Sequence, residues 1–201
     1  MQRFVCEQNI AHFQRLLETA EDDKLRRTLL GLLSSAKREL ALLNSQISGA
    51  DLSPLGYRKP AGDIAAALAR LRASFDASDH PCLLIDPGPG LKIFDINDAY
   101  ARATFTTRDT VVGMSLFEIF PDNPAIVTAD GVSNLYESLR TVVETGQPHA
   151  LAVQRYDVRN ADGVFVERYW QSISTPVQDL DGRLICLLHT IEDVTAEVLA
   201  D

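Results

Sequence analysis

The fold is decided by residues 82–100, CLLIDPGPGLKIFDINDAY. Residues 82–85 and 91–96 are strand candidates, and the Pro-Gly-Pro-Gly sequence between them is a turn sequence, which predicts a β-hairpin. Asn97 follows at once, and asparagine is favoured as a helix N-cap because its side chain accepts a hydrogen bond from a backbone amide. The sequence therefore predicts a change from strand to helix at Asn97.

Downstream of this hairpin the pattern is helical and then extended again. Residues 97–145 form a helical middle interrupted by glycine and proline, with its last helix over residues 132–145. Three strand candidates follow at residues 150–158, 164–177 and 184–192, with Asp-Gly turn sequences between them. This order predicts an α+β fold, a five-stranded antiparallel sheet with short helices packed on one face.

Four local sequences in this region resemble landmarks of the PAS domain family. They are residues 97–100 (NDAY), 111–121 (VVGMSLFEIFP), 174–183 (STPVQDLDGR) and 193–195 (DVT). Each is short, but they occur in the family's order and on the family's strand pattern. The resemblance implies a PAS-like domain over residues 80–196, similar to those of bacterial sensory proteins such as sensor histidine kinases. It does not extend to the segments that come before.

The N-terminal part, residues 1–48, predicts two helices. Thr19 and Asp22 predict the N-cap and the first-turn acid of the second helix. That helix carries apolar residues at alternating steps of four and three, which is the spacing of a coiled-coil seam. The seam consists of Leu29, Leu33, Ala36, Leu40, Leu43 and Ile47. It fits either an intramolecular helical hairpin or a coiled coil between two copies of the chain.

Two further segments connect these helices to the PAS-like domain. Residues 49–62 predict a linker, because their glycines and prolines break both helix and strand. Residues 63–79 predict an amphipathic helix that begins at the N-cap Asp63. The apolar side chains of this helix are candidates for a homodimer contact: Ile64, Leu68, Leu71 and Phe75.

The resemblance implies a ligand cavity between the sheet and the helical middle. Apolar side chains of the helical middle are its candidate lining, because ligand pockets are mostly apolar. They are Phe105, Met114, Leu116, Phe117, Ile119, Phe120, Leu135 and Leu139. The alternative is that these side chains fill their own core, since protein interiors are densely packed. The sequence does not identify the ligand.

Two cofactors of the family are disfavoured by the residues present. The family's flavin photosensors carry a reactive cysteine in a helix, whereas no cysteine lies between Ala99 and Ala150. Its haem sensors typically use a histidine on the helix before the third strand, whereas residues 132–145 contain none. The three cysteines also lack the spacing of a zinc site, so no metal is expected.

Asp193 and Thr195 are the candidate signal-relay residues. In PAS proteins this pair ties the last strand to the helix that follows. Physically, short oxygen-bearing side chains at the end of a strand can cap the amides of the next helix. Residues 196–200 form only a short helical stub, so the sequence also favours a signal that leaves through the helices before Pro81.

The composition limits the remaining classes of function. The net charge is −9, and residues 61–201 carry ten Lys and Arg against twenty-one Asp and Glu, a balance of −11, so nucleic-acid binding is not expected. No apolar run approaches the roughly 20 residues that a membrane span needs. The start lacks a secretory signal, so a cytoplasmic location is expected.

No serine-hydrolase, metalloprotease or phosphate-loop motif is present, so no enzymatic activity is expected.

These observations together predict a non-catalytic PAS sensory or protein-interaction module of bacterial signal transduction. As a homodimer, it would relay ligand or partner binding through its flanking helices to a signalling protein such as a kinase. Two alternatives stay open. One is the truncated N-terminal sensor region of a histidine kinase, and the other is a small-molecule-binding protein that uses the PAS cavity.

Overall fold

The computed structural model describes residues 1–50 and 64–200. The predicted N-cap Asp63 and the predicted linker beyond Ala50 lie outside the described residues, as does the side chain of Ile64. The helices are α1 (Gln2–Thr19), α2 (Asp23–Ser48), α3 (Ile64–Asp76), α4 (Asp98–Thr104), α5 (Arg108–Val111), α6 (Leu116–Ile119), α7 (Gly131–Thr145) and α8 (Thr195–Val198). The strands are β1 (Cys82–Ile85), β2 (Ile93–Ile96), β3 (His149–Arg155), β4 (Val158–Arg159), β5 (Phe165–Val166), β6 (Tyr169–Gln178) and β7 (Leu184–Asp193).

Five of the strands form one antiparallel sheet in the order β2-β1-β7-β6-β3. The predicted α+β fold with a five-stranded antiparallel sheet is confirmed. The first and last strands of the domain, β1 and β7, are neighbours at its centre, with Leu84 opposite Leu188. The last strand of the domain therefore lies beside the strand with which the domain begins.

Two of the predicted strands are each divided in the structure. Residues 150–158 form β3 and β4, and residues 164–177 form β5 and most of β6. The pairing of β3 with β6 ends where Arg155 lies opposite Tyr169. The chain then turns to bury Asp157, whose carboxylate accepts hydrogen bonds from Arg155 Nε at 2.9 Å and Asn123 Nδ2 at 2.7 Å. The short β4 and β5 pair with each other as a separate two-stranded ribbon.

The sheet carries a core on each face. The larger core lies between the sheet and helices α4 to α7, and its members include Leu83, Ile93, Leu139 and Leu187, each at most 1% exposed. The smaller core lies on the opposite face, beneath α3. It consists of Phe75, Cys82, Leu84, Ile185 and Cys186, with Leu68 and Phe94 packed against it. The sheet is therefore covered by helices on both sides.

Asn97 joins the elements that meet at the end of β2. Its side chain is fully buried, and its Oδ1 accepts hydrogen bonds from the amides of Cys82 at 3.0 Å and Tyr100 at 2.8 Å. Its Nδ2 donates to the carbonyl oxygens of Phe75 at 3.2 Å, Ser78 at 3.2 Å and His80 at 2.8 Å. One amide group thus caps α4, pairs with β1 and fixes the end of α3.

A closed ring of four charged side chains also holds α3. Arg72 pairs with Asp76 at 2.8 Å and with Asp95 of β2. Arg108 of α5 pairs with the same two carboxylates, each at 2.8 Å. Arg108 Nε also donates to the carbonyl oxygen of Ile96 at 2.9 Å. The ring links α3, the edge strand β2 and α5, and it is partly exposed, so its attraction is screened by salt.

Helices α1 and α2 form an antiparallel hairpin, which we call the N-terminal hairpin (residues 1–50). Arg26 Nη1 donates to the carbonyl oxygen of Leu17 near the turn, and Gln2 Nε2 donates to Glu39 Oε1 at the far end. The hairpin packs through α2 on α7 of the sheet domain. Among the described residues, none of the helices is long and apolar enough to cross a bilayer.

The start of α2 differs from its prediction. Asp22, not Thr19, is the N-cap, and its carboxylate accepts a hydrogen bond from the Leu25 amide at 2.7 Å. Thr19 is the last residue of α1, where its hydroxyl donates to the carbonyl oxygen of Leu16 at 3.4 Å. The sequence pattern misplaced the cap because threonine and aspartate both serve as N-caps and both occur shortly before the apolar pattern of α2.

The apolar seam of α2 is only partly buried within the chain. Leu29 and Ala36 are buried, whereas Ile47 at the end of the helix is 69% exposed. The remaining members of the seam are half-buried: Leu33, Leu40 and Leu43. Within the chain, α1 and α2 pack as the intramolecular hairpin that was one of the two alternatives. A coiled coil between two copies stays a prediction.

Replacing Asn97 with alanine is expected to lower the free energy of unfolding by about 3 kcal/mol or more, since several buried backbone groups lose their partners at once. Denaturant titration measures the loss. Asn160 is the matched control, because its Oδ1 also accepts from two amides, those of Asp162 and Val164, but in an exposed turn. Asn160→Ala is expected to cost less than about 1 kcal/mol. Equal losses in the two variants would contradict the central role given to Asn97.

Candidate functional site

A small cavity lies between the sheet and the helical middle. Its volume is about 40 Å³, and side chains from α4, α7, β3, β6, β7 and the connecting loops form its wall. The lining residues are Tyr100, Thr104, Phe120, Leu135, Gln154, Tyr156, Val158, Trp170, Ser172, His189 and Ile191. A space of this size has room for about two or three water molecules.

Aromatic side chains on the wall are held by hydrogen bonds to the backbone. The Tyr156 hydroxyl donates to the carbonyl oxygen of Phe120 at 2.5 Å, and Trp170 Nε1 donates to the carbonyl oxygen of Tyr156 at 2.8 Å. Tyr100 and Phe120 are in edge-to-face contact, with ring centroids 5.9 Å apart. Burial raises the pKa of both tyrosine hydroxyls well above the ordinary value, so both are neutral.

Polar side chains from the sheet also reach the cavity wall. Gln154 Oε1 accepts a hydrogen bond from Asn134 Nδ2 of α7 at 2.9 Å, which fixes one end of its amide. The Thr104 hydroxyl donates to the carbonyl oxygen of Tyr100 at 2.8 Å. Ser172 is 5% exposed and lies on β6 two residues from Trp170. The wall therefore offers several hydrogen-bonding groups within an otherwise apolar surface.

His189 is the basic side chain of the cavity wall. It lies on the central strand β7 and is 4% exposed. Its Nδ1 is 3.0 Å from the Ser174 hydroxyl on the neighbouring strand. Burial lowers the pKa of His189 from 6.5 to about 4, because the charged imidazolium loses its hydration. The side chain is therefore neutral at pH 7.

The structure divides the eight predicted cavity residues into three groups. Phe120 and Leu135 line the cavity. Leu116, Phe117, Ile119 and Leu139 belong to the surrounding core or pack against it. Phe105 and Met114 lie outside the cavity and are 44% and 43% exposed.

The exposure of Phe105 and Met114 has a local cause in each case. Phe105 ends α4 with a left-handed backbone conformation, φ 55°, which turns its ring away from the core to lie 5.5 Å below the Arg168 guanidinium. Met114 follows Gly113, which has φ 83°, in the turn before α6. A left-handed position at a residue other than glycine is uncommon, so sequence reasoning did not anticipate it.

Most residues that line the cavity come from the strands and were not predicted. Trp170 and Ser172 alternate along β6, and His189 and Ile191 alternate along β7, as expected of residues that share one face of a sheet. That period of two is visible in the sequence. What the sequence did not show is which of the two faces points toward helices α4 to α7 and which toward α3.

Asp193 and Thr195 form a hydrogen-bonded junction at the end of β7. The Thr195 hydroxyl oxygen accepts a hydrogen bond from the Tyr169 amide at 2.9 Å, and Asp193 Oδ1 accepts one from the Thr195 amide at 3.0 Å. Arg168 Nε lies 3.2 Å from Asp193 Oδ2. The junction therefore joins the end of β7 to the start of β6 and to α8.

The predicted dimer-helix residues lie on α3 with different degrees of burial. Phe75 is buried in the smaller core, and Leu68 and Leu71 are half-buried. Leu71 and Phe75 line two hollows on the outer face of the sheet, of about 130 and 190 Å³, which also involve Leu84. Part of the apolar surface of α3 thus remains open beside the sheet.

Comparisons with known proteins agree with this architecture. The LOV protein of Rhodobacter sphaeroides is 16% identical, with a TM-score of 0.51, over 67% of this chain and 74% of that chain. The PAS domain of BvgS from Bordetella pertussis is 23% identical, with a TM-score of 0.47, over 67% of this chain and 93% of that chain. No curated protein sequence matches the chain. The family model described as PAS fold matches residues 75–199, more than half of the chain, and the chain therefore belongs to the PAS fold family.

Proposed function

We propose that this protein is a non-catalytic PAS sensory module of bacterial signal transduction, in which a small neutral ligand occupies the cavity and changes the position of the flanking helices. The observation that carries the proposal is the neutral, partly polar wall around His189 in the space between the sheet and the helices. The family to which the chain belongs and the junction at Asp193 and Thr195 also support it.

The chemistry of the wall favours an uncharged ligand. The residues that line the cavity include no aspartate, glutamate, lysine or arginine, and His189 is neutral at pH 7. A charged ligand would lose its hydration there without a charged partner, which costs several kcal/mol. Gln154, Ser172 and His189 are the side chains with which a neutral polar ligand would form hydrogen bonds.

The relay in this proposal runs along β7. His189 and Ile191 line the cavity, and the same strand continues to Asp193 and the Thr195 junction. Through its other edge, β7 pairs with β1, which is joined to the end of α3 by Asn97. A shift of β7 would therefore reach both helical ends of the domain, and a kinase or similar signalling protein is the proposed recipient.

A homodimer is the proposed assembly, with α3 as its contact. The half-buried Leu68 and Leu71 lie beside open hollows on the outer sheet face, where a second copy of α3 would complete the smaller core. Apolar surface of this kind is a common feature of protein interfaces.

The first prediction from this proposed function concerns ligand binding, with acetamide as a small neutral probe. Acetamide is expected to shift the NMR resonance of the Trp170 indole N–H, which lies on the cavity wall. Ser172→Val fills part of the cavity and removes a hydroxyl, so it should weaken binding about tenfold or more, equivalent to about 1.4 kcal/mol. Thr175→Val, on the opposite face of the same strand, is the matched control. A shift that is absent, or the same in all three proteins, would count against a ligand site here.

The second prediction follows from the lowered pKa of His189. The unfolded chain binds a proton at this residue below about pH 6.5, whereas the folded chain does so only near pH 4, so acid favours unfolding in that interval. Between pH 7 and pH 4 the free energy of unfolding of the natural chain should fall by up to about 3 kcal/mol because of His189, and His189→Gln should lack this part of the fall. Denaturant titrations across this range measure the difference. The exposed His80, replaced by Gln, is the control, and parallel pH profiles for natural and His189→Gln proteins would refute the assignment.

The third prediction concerns the dimer. Leu71→Glu places a charge on the apolar face of α3 and is expected to shift the sedimentation behaviour of the full chain from dimer to monomer. Leu180→Glu is the control, because Leu180 is 90% exposed in the turn between β6 and β7. A natural chain that sediments as a monomer at high concentration would exclude this contact.

A further inference from the structure

The N-terminal hairpin approaches the sheet domain unusually closely at two places. At the first, the amide of Ala50 donates to the carbonyl oxygen of Pro87 at 2.9 Å, and the amide of Gly90 donates to the carbonyl oxygen of Ser45 at 2.7 Å. Gly49 has φ 68°, and a Cβ at this position would lie 2.1 Å from the Pro87 oxygen. Backbone contacts without intervening side chains therefore fix the end of α2 to the turn between β1 and β2.

The second place is the loop between α6 and α7. Arg38 of α2 donates through Nε to Asp122 Oδ2 at 2.6 Å, and through Nη2 to the carbonyl oxygen of Ala129 at 2.6 Å. Gly31 faces Val127, whose Cγ1 would lie 2.5 Å from a Cβ at position 31. A charge-assisted contact with a nearly buried carboxylate is stronger than a surface ion pair, so this loop is a second anchor.

Asp122 connects this anchor to the cavity wall. Its side chain is 2% exposed, and its Oδ1 accepts a hydrogen bond from the amide of Val132 at the start of α7 at 3.0 Å. Asp122 follows Phe120 after one residue, and Phe120 supplies both a ring to the cavity and the carbonyl oxygen that accepts the Tyr156 hydroxyl. The hairpin and the cavity wall therefore share one short segment, residues 120–122.

Tyr156 separates the cavity from a second hollow of about 130 Å³. This surface hollow is lined by the loop before α7 and by residues 155–157, and Tyr156 is the residue that the two linings share. Exposed Thr128 and Asp130 are part of the outer wall, so the hollow opens toward solvent. The ring of Tyr156 lies against Gly131, where a Cβ would be 2.6 Å from the tyrosine Cγ. The ring of Tyr156 therefore lies between the two spaces and is packed against the start of α7.

We propose that Tyr156 is a gate between the cavity and the surface hollow, and that the N-terminal hairpin holds this gate closed through Arg38 and Asp122. The cavity as packed holds only about two or three water molecules, so a larger ligand requires a wall side chain to move. Movement of Tyr156 breaks its hydrogen bond to Phe120 and shifts the segment that carries Asp122. Opening of the gate and release of the hairpin are then coupled, and the coupling is reciprocal.

The proposal deepens the sensory function and rests on it, since the cavity is the input, but its test needs no ligand. Hydrogen exchange of the full chain is measured for amides of residues 31–45 in α2 and for amides around Tyr156. Arg38→Gln is expected to raise the exchange rate of amides in both regions at least about fivefold. Tyr156→Phe is expected to raise the exchange rate in α2 by a similar factor. A change of this size lies within the range of typical coupling free energies. The matched controls are Arg140→Gln, which breaks an ion pair within α7, and Tyr169→Phe, which removes a hydroxyl bonded to Glu167.

Trp170 supplies a second measurement because it is the single tryptophan of the chain and lines the cavity. Acrylamide quenching of its fluorescence should increase in Arg38→Gln, although Arg38 lies on α2, and stay unchanged in Arg140→Gln. The proposal is overturned if Tyr156→Phe leaves exchange in α2 unchanged, or if Arg38→Gln leaves both Trp170 quenching and exchange around Tyr156 unchanged. If the hairpin and the region around Tyr156 are coupled but acetamide does not bind, the gate is supported and the proposed ligand class is contradicted. The two proposals can therefore fail separately.

Discussion

The amide group of Asn97 is the interaction on which the arrangement of the domain depends. Three carbonyl oxygens from the end of α3 and the chain after it converge on one side of this amide, and two amides from β1 and α4 converge on the other. The planar carboxamide offers two N–H donors and a carbonyl acceptor, which a serine or threonine hydroxyl does not. Because the group is buried, the amides of Cys82 and Tyr100 would lose this partner without it, so Asn97 ties the positions of α3, β1 and α4 to one another.

The two N-terminal helical units lie on opposite faces of one sheet. The hairpin lies on the helical face through α7, and α3 lies on the other face above Leu84 and Cys186. The central strand β7 contributes side chains to both sides, His189 to the cavity and Cys186 to the core beneath α3. A change in the cavity therefore has two physical routes to the N-terminal part of the chain, one through β7 and one through residues 120–122.

The features that the sequence predicted are those that depend on neighbouring residues. The first hairpin, the cap at Asn97 and the order of strands and helices follow from apolar runs and turn sequences a few residues long. The cavity wall did not follow from such patterns, because whether Ser172 or Thr175 faces the helices depends on the packing of the whole sheet. The contact between Arg38 and Asp122 joins residues 84 positions apart, and no local pattern relates two such residues. The turn of Phe105 away from the core depends on one backbone angle that its residue type rarely adopts.

The distance along the chain between α2 and its docking surface also has a consequence for synthesis. Arg38 leaves the ribosome 84 residues before Asp122, a delay of about 4–17 s at a translation rate of 5–20 residues per second. During that time Ala41 and Leu42 of α2, which belong to or pack against the larger core in the folded protein, have no sheet domain to cover them. In the folded structure α2 packs on both α1 and α7, so pairing with α1 is the contact that α2 can form before the sheet domain is complete.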